Sequence, residues 1–98
     1  MKFYFHPQAA EEFSQAVDYY EEIKPGLGHE FATEVYAAIE RCVKFPKAWP
    51  ILKENIRRSL VKRFPFGILY VEDLNNKIFI LAVMNLYREP DYWKHRKK

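Results

Sequence analysis

The residues of this chain that could take part in chemistry are mostly cations, and they are concentrated in its second half. Guanidinium and ammonium groups stabilise negative charge on a phosphate or an oxyanion, and they pair with acidic protein segments or with nucleic acid. Basic side chains also keep an exposed strand from aggregating, so a purely structural role stays open for each. The candidates are Arg57, Arg58, Lys62, Arg63 and Arg88. This cluster predicts a surface for anionic groups.

Acid–base catalysis at such a surface requires, besides cations, a general base or acid whose pKa lies near neutrality. Asn85, at the end of the last apolar segment, carries an amide, which does not exchange a proton near neutral pH. Tyr87 and Tyr92 are poor bases, because an ordinary tyrosine has a pKa of about 10. These residues therefore favour binding over catalysis.

Metal and cofactor sites have no signature in this sequence. His6 and His29 flank predicted helix starts and His95 lies in a basic tail, so no two histidines have the spacing of a metal site. No glycine-rich phosphate loop or nucleophile elbow is present. The single cysteine, Cys42, lies on an apolar helical stripe and is interpreted as a small core residue. We therefore predict neither a metal nor a cofactor.

Length and composition limit the architecture. The 98 residues leave room for one domain, spanning residues 1–98. Hydrophobic residues make up 49% and charged residues 30% of the chain, as is typical of a soluble globular protein. No apolar stretch reaches the length of a membrane helix, and the N-terminus lacks the features of a secretory signal, so we expect a cytoplasmic protein. The net charge of +3 combines an acidic first half with a basic second half.

Two helices are predicted to form a hairpin. Pro7 suits the first turn of a helix, and an apolar stripe at helical spacing follows it. A connection with Pro25 and two glycines is short enough to turn the second helix back against the first, and this second helix ends before Pro46. The stripe of the first helix comprises Ala9, Phe13, Ala16, Val17, Tyr20 and Ile23, and that of the second comprises Phe31, Val35, Ala38, Ile39 and Cys42.

The remaining segments predict a sheet. Short connections between the last three strands imply an antiparallel meander, and the last strand, apolar throughout Ile78–Met84, is predicted to be central. Before the meander, two prolines enforce a turn whose Trp49 covers the core. The order β-α-α-β-β-β indicates a two-layer α+β fold with the helical hairpin packed on one sheet face. The predicted strands are Lys2–Phe5, Ile56–Arg63, Gly67–Glu72 and Lys77–Met84.

Seven short segments carry a further signal in their order and spacing. They are Ala9–Phe13, Tyr19–Glu21, Pro25–Gly28, Phe45–Pro50, Ile56–Arg58, Arg63–Phe66 and Arg88–Trp93. Together with the order of elements, they make essentially the whole chain resemble the ParE branch of the ParE/RelE toxin superfamily. The resemblance implies a RelE-like fold, in which the N-terminal strand lies beside the last strand of the meander.

The same resemblance implies a function. It implies the toxin of a type II toxin–antitoxin module, as in plasmid stabilisation systems, with a cognate ParD-like antitoxin that wraps and silences it. ParE-type members poison DNA gyrase by binding, which implies gyrase as the target. RelE-type members instead cleave mRNA on the ribosome, and this alternative stays open, as does a non-toxic homologue that only binds an antitoxin.

Residue roles follow from the resemblance. Many ParE-like relatives have a histidine where this chain has Asn85, a departure that counts against hydrolysis. If the chain is a nuclease, the catalytic candidates are Arg63, Arg88 and Tyr87. An antitoxin segment can lay a helix on the hairpin and add a strand to a free sheet edge. The target-binding candidates are Arg57, Arg58, Arg63, Arg88, Tyr92 and Trp93, and the antitoxin-binding candidates are Tyr19, Leu27 and Tyr36. Core packing of Tyr92 and Trp93, and ordinary partial burial of the antitoxin set, are the structural alternatives.

Overall fold

A sheet of five strands with two helices on one face makes up the described part of the chain, residues 2–88 and 92–96 of a computed structural model. The elements are β1 (Phe3–Phe5), α1 (Pro7–Ile23), α2 (Leu27–Lys44), β2 (Ile51–Lys53), β3 (Ile56–Leu60), β4 (Phe66–Glu72) and β5 (Ile78–Asn85). Their order in the sheet is β1-β5-β4-β3-β2. The predicted two-layer α+β fold, with the N-terminal strand beside the last one, is confirmed.

The helices begin and end where the local sequence favours it. Pro7 opens α1, and the imidazole of His6 accepts a hydrogen bond of 3.1 Å from the Gln8 amide, which has no helical partner. The predicted stripe of α1 faces the core except at Ile23, which is 58% exposed. Ile23 is the last residue of α1, and Tyr20, one turn earlier, makes the final contact of the stripe with the core. No helix in the described ranges is both long and apolar enough to cross a membrane.

The helical hairpin closes at two glycines. Gly26 has a φ of 90°, in the left-handed region that glycine adopts without strain. The Glu21 carboxylate accepts hydrogen bonds from the amides of Gly26 and Gly28, at 2.9 and 3.0 Å, where the dipole of α2 favours negative charge. A Cβ atom at Gly28 would lie 2.6 Å from the carbonyl oxygen of Val17. Glycine at this position therefore lets the two helices approach each other closely.

Strand β5 is central, as its uninterrupted apolar sequence predicted. On one side it pairs in parallel with β1, from Phe3 opposite Ile78 to Phe5 opposite Ile80. On the other side it pairs antiparallel with the whole of β4. Because β1 is short, it covers β5 only as far as Ile80. The second half of β5 has no strand on that side.

Two features of the sheet differ from the prediction. The edge strand β2 was not predicted, because its three residues are all exposed and show no alternation of apolar and polar side chains. It is a strand only because it pairs with β3, with Ile51 opposite Arg57. Strand β3 ends at Leu60, so the predicted strand Ile56–Arg63 is too long. At Arg63 the backbone has a φ of 72°, a turn conformation that ends any continuation of the strand.

Both faces of the sheet bury apolar side chains. Alternation along β4 sends Ile68 and Tyr70 to the helices and Leu69 to the opposite side, which we call the open face. Trp93, 1% exposed, covers part of the open face. Trp49, predicted to cover the core, is half-buried and belongs to neither cluster. The buried cluster of the open face comprises Ile56, Leu69, Phe79, Leu81, Ala82, Met84 and Trp93.

Cys42 lies in the core between the helices and the sheet. Its side chain is fully buried among apolar residues of the helix face. Burial raises the pKa of the Cys42 thiol to about 11. The residue is therefore a thiol near neutral pH and serves as a small core residue, as its position on the stripe predicted.

Replacing Gly28 with alanine tests the close approach of the helices. Overlap of the new methyl group with the Val17 carbonyl is expected to cost about 1–3 kcal/mol. The gain in helix propensity offsets only about 1 kcal/mol of this. Because the overlap is with a backbone oxygen, which cannot rotate away, we expect a cost in the upper half of that range and a net loss of about 1–2 kcal/mol in the free energy of unfolding in urea. Thr33→Ala, at an exposed position of the same helix, is the control and should change it by less than about 0.5 kcal/mol. Unchanged stability of Gly28→Ala would show that the hairpin relaxes freely.

Candidate functional site

One end of the sheet gathers the residues that the sequence assigns to chemistry. Leu60 of β3 pairs with Gly67 of β4, and Gly67 pairs with Met84 of β5. The connection between β3 and β4 and the residues that follow Met84 therefore lie at the same end, which we call the Asn85 end. The predicted catalytic candidates Arg63, Tyr87 and Arg88 are found there, next to Asn85.

Arg63 is tied to helix α2. Its guanidinium lies 2.7 Å from the Glu30 carboxylate and 3.8 Å from that of Glu34. The hydrogen bond from Arg63 lowers the pKa of Glu30. The same guanidinium lies 5.4 Å from the centre of the Phe64 ring, within the range of a cation–π contact. Arg63 is exposed, but an anionic ligand has to compete with two carboxylates for it.

Asn85 closes strand β5 and starts a turn. Its side-chain oxygen accepts a hydrogen bond of 2.9 Å from the Tyr87 amide, and its backbone carbonyl accepts one of 3.0 Å from the Arg88 amide. This is the local turn that asparagine favours. The turn presents the Tyr87 side chain, which is 85% exposed, to solvent. The Asn85 amide therefore positions its neighbours.

Glu12 of α1 takes the place of a missing strand beside β5. The Val83 amide lies beyond the reach of β1, and it donates a hydrogen bond of 3.0 Å to the Glu12 carboxylate. A buried backbone donor without a partner costs free energy, so the carboxylate stabilises the second half of β5. Glu12 lies between two buried residues of α1, Ala9 and Ala16, at helical spacing. A charged residue on a buried stripe was the sequence signal for this role, and the sequence analysis missed it.

Arg96 of the C-terminal segment completes this arrangement. Its guanidinium contacts the Glu12 carboxylate at 2.9 Å and points toward the Leu81 carbonyl at 3.5 Å, and the residue is only 6% exposed. The Arg88 guanidinium lies 3.6 Å from the same carboxylate oxygen. We call Glu12, Arg88, Tyr92 and Arg96 the Glu12 cluster. Its members fasten the C-terminal segment to α1 and β5.

Tyr92 and Trp93 pack against the protein. The Tyr92 ring makes cation–π contacts with two guanidiniums, 3.9 Å from that of Arg88 and 4.9 Å from that of Arg96. Burial and the neighbouring Glu12 carboxylate raise the pKa of Tyr92, so it stays protonated. Trp93, predicted to bind the target, lies in the open-face cluster and is 1% exposed, so its ring packs against the sheet in this structure. Residues 89–91 of the same motif lie outside the described residues.

The cations of β3 point in two directions. Arg57 lies on the helix face, where its guanidinium donates hydrogen bonds to the backbone carbonyls of Trp49, at 2.6 Å, and Lys47, at 3.3 Å. Arg58 lies on the open face, where its side chain covers Gly67. Alternation along the strand separates the two arginines. The sequence-predicted cations therefore do not form one continuous surface.

The three antitoxin candidates also lie apart. Tyr19 is 62% exposed and faces the Asn85 end. Tyr36 is 46% exposed and contacts the rings of Phe3 and Phe13, beside the edge strand β1. Leu27 is partly buried against the core at the start of α2. Only the two tyrosines offer substantial surface.

A cleft of about 250 Å³ opens between α1 and the Asn85 end. Tyr19, Asn85 and Arg88 place an aromatic ring, an amide and a guanidinium at its walls. Such groups bind a polar or acidic protein segment, and the guanidinium is held in place by the Glu12 cluster. In the described ranges no three His, Cys, Asp or Glu side chains converge as metal ligands do. The lining residues are Glu12, Gln15, Ala16, Tyr19, Phe66, Val83, Asn85 and Arg88.

Comparisons with known proteins identify the fold. A chain of the chromosomal ParDE TA system from P. aeruginosa superposes with a TM-score of 0.75 over 88% of this chain and 96% of that one. The two sequences are 17% identical, so the likeness is one of fold. No protein-family model and no curated protein matches the sequence. The predicted ParE/RelE-like fold is thereby confirmed.

Replacing Glu12 with alanine tests the Glu12 cluster. The change leaves the buried Arg96 without its carboxylate, and we expect a loss of about 3 kcal/mol in the free energy of unfolding. Glu11→Ala, at the exposed neighbouring position, should cost less than about 0.5 kcal/mol. The double variant Glu12→Ala with Arg96→Met should recover part of the loss, because it removes the unpaired charge. A cost below about 1 kcal/mol for Glu12→Ala would mean that the ion pair does not hold the segment.

Proposed function

We propose that this chain is the toxin of a type II toxin–antitoxin module and that it acts by binding its target, DNA gyrase, in the cytoplasm. The observation that carries the proposal is the fold, which this chain shares over most of its length with a chain of a ParDE system. The whole-chain resemblance of the short sequence segments to the ParE branch supports the same assignment.

The Asn85 end is the proposed target-binding surface. Tyr87 projects from it, and an exposed tyrosine supplies a large contact area at a small cost in side-chain entropy. Arg88 lines the adjacent cleft, where contacts with the Glu12 carboxylate and the Tyr92 ring restrict its motion. A side chain that is already ordered loses little freedom when it binds, which favours affinity.

The edges of the sheet are the proposed sites for an antitoxin. Strand β2 is an edge strand whose Ile51 and Leu52 are 54% and 42% exposed, and β1 is the edge strand on the other side. Unpaired backbone groups at such an edge accept an added strand. Tyr36 beside β1 and Tyr19 on the hairpin offer apolar surface for a helix of the same partner.

A ribosome-dependent mRNA endonuclease is the second candidate, because Arg63, Tyr87 and Arg88 all lie at the Asn85 end. The surroundings of these residues support a nuclease function less well than a binding function. The two arginines are paired with carboxylates of α2 and α1, and Asn85 is engaged in a turn. The pKa of Tyr92 is raised, which is opposite to what a general base requires.

A supercoiling assay with purified DNA gyrase tests the first proposal. The protein is expected to inhibit supercoiling or to trap cleaved DNA, and expression without an antitoxin is expected to arrest growth. Tyr87→Ala should weaken inhibition about tenfold, since it removes an exposed aromatic contact that makes no core packing. Phe45→Ala, which removes an aromatic ring that is 60% exposed at the end of α2, is the control and should inhibit as the parent does.

Two results would contradict this proposal in different ways. Growth arrest with unchanged gyrase activity would leave a toxin with another target. Normal growth on expression, with retained antitoxin binding, would identify a non-toxic homologue.

Cleavage of ribosome-bound mRNA distinguishes the second candidate. We expect the purified protein to leave such mRNA intact, because the Asn85 end places an amide where a proton carrier would be needed. The assay follows the lengths of mRNA on stalled ribosomes. Cleavage that disappears in Tyr87→Phe and Arg88→Ala, and persists in Phe45→Ala, would establish the nuclease function in place of the proposed one.

A further inference from the structure

A groove of about 350 Å³ crosses the open face at the end of the sheet away from Asn85. Its walls are two turns, that between β2 and β3, with Glu54 and Asn55, and that between β4 and β5, with Asp73 and Leu74. It shares no lining residue with the cleft beside Asn85. The sequence analysis assigned no role to these turns.

The floor of the groove is apolar. It is formed by side chains of β3, β4 and β5 that project from the open face: Ile56, Val71, Phe79 and Leu81. The Tyr4 ring stacks on Phe79 with 4.9 Å between ring centres, which braces the floor from the side of β1. A partner that covers this floor gains free energy from removing apolar surface from water.

The rim of the groove is acidic. The charged side chains that line it within the described ranges are all carboxylates, those of Glu54, Glu72 and Asp73. Glu72 contacts Lys47 at 3.4 Å, but the lysine side chain is 78% exposed, and such surface pairs are weak enough for a ligand to replace. Carboxylates at the rim favour cationic groups of a ligand over anionic ones at this position.

Leu74 stands at the mouth of the groove and is fully exposed, at 101%. The turn that carries it is ordered by Asp73, whose carboxylate accepts hydrogen bonds from the amides of Asn75, at 2.8 Å, and Lys77, at 2.9 Å. The Tyr4 hydroxyl donates a further bond of 3.0 Å to the same carboxylate. A large apolar side chain held out by an ordered turn is typical of a contact with another protein.

We propose that this groove binds a segment of a partner protein that carries large apolar side chains next to lysine or arginine. The apolar side chains cover the floor and contact Leu74, while the cations meet the carboxylates of the rim. Lysine and arginine suit both surfaces, because their aliphatic stems cover apolar area and their charged ends stay in water. The proposal does not depend on the toxin assignment.

Titration of the isotopically labelled protein with short peptides, followed by amide NMR shifts, tests the groove. The probe is the capped peptide KKLLKK, and the controls are EELLEE, which reverses the charge, and KKGGKK, which removes the apolar side chains. We expect only KKLLKK to shift the amides of residues 54–56, 71–74, 79 and 81. The shifts should saturate with one dissociation constant.

Variants of the protein separate the apolar contribution to peptide binding from the electrostatic one. Leu74→Ser should weaken binding of KKLLKK about fivefold, and Glu72→Lys about tenfold, because they remove the apolar contact and reverse a rim charge. Leu60→Ser, at an exposed leucine of the open face near the other end, is the control and should leave the affinity unchanged. Leu74 is fully exposed, so its replacement does not affect folding. Shifts at the Asn85 end, equal binding of EELLEE, or no saturable binding would overturn the proposal.

Discussion

The contact between the Glu12 carboxylate and the Val83 amide is the interaction on which the rest of this structure depends. Strand β1 has to end early, because Pro7 begins a helix two residues after it, and β5 is therefore left with an unpaired half. A carboxylate from α1 satisfies the exposed backbone donor there. Its charge in turn requires a cation, and Arg96 provides it from the C-terminal segment. The short length of β1 is thus linked, through Glu12, to the position of residues 92–96.

The ion pair between Glu12 and Arg96 positions the C-terminal segment more than it adds to the free energy of unfolding. The Coulomb attraction in a buried ion pair offsets much of the free energy that is lost when both charges leave water, so its net contribution to stability is small. Its main effect is to favour one arrangement of the chain over others. Here the pair holds residues 92–96 so that Tyr92 contacts two guanidiniums and Trp93 packs on the open face. It also restrains Arg88 at the wall of the cleft. The same contacts therefore build the core on one face and the candidate binding site at the sheet end.

The two ends of the sheet differ in charge. At the Asn85 end, arginines follow the last residues of β3 and β5, and each is paired with a helix carboxylate. At the opposite end, carboxylates surround an apolar groove. The antiparallel meander causes this division, because it places alternate connections at opposite ends. The charge of the second half of the chain, which is basic in the sequence, is consequently distributed over separate surfaces.

The sequence by itself determined the helical hairpin, the meander and the central place of β5, because apolar periodicity and the uninterrupted apolar run report burial directly. It did not reveal β2, whose three exposed residues become a strand only by pairing with β3. Nor did it reveal the partners of Glu12 and Arg96, which are 84 positions apart along the chain (96 − 12). Tertiary structure alone decided which charges pair and which side chains remain exposed, because such contacts form only after distant segments have been brought together by the packing of the core.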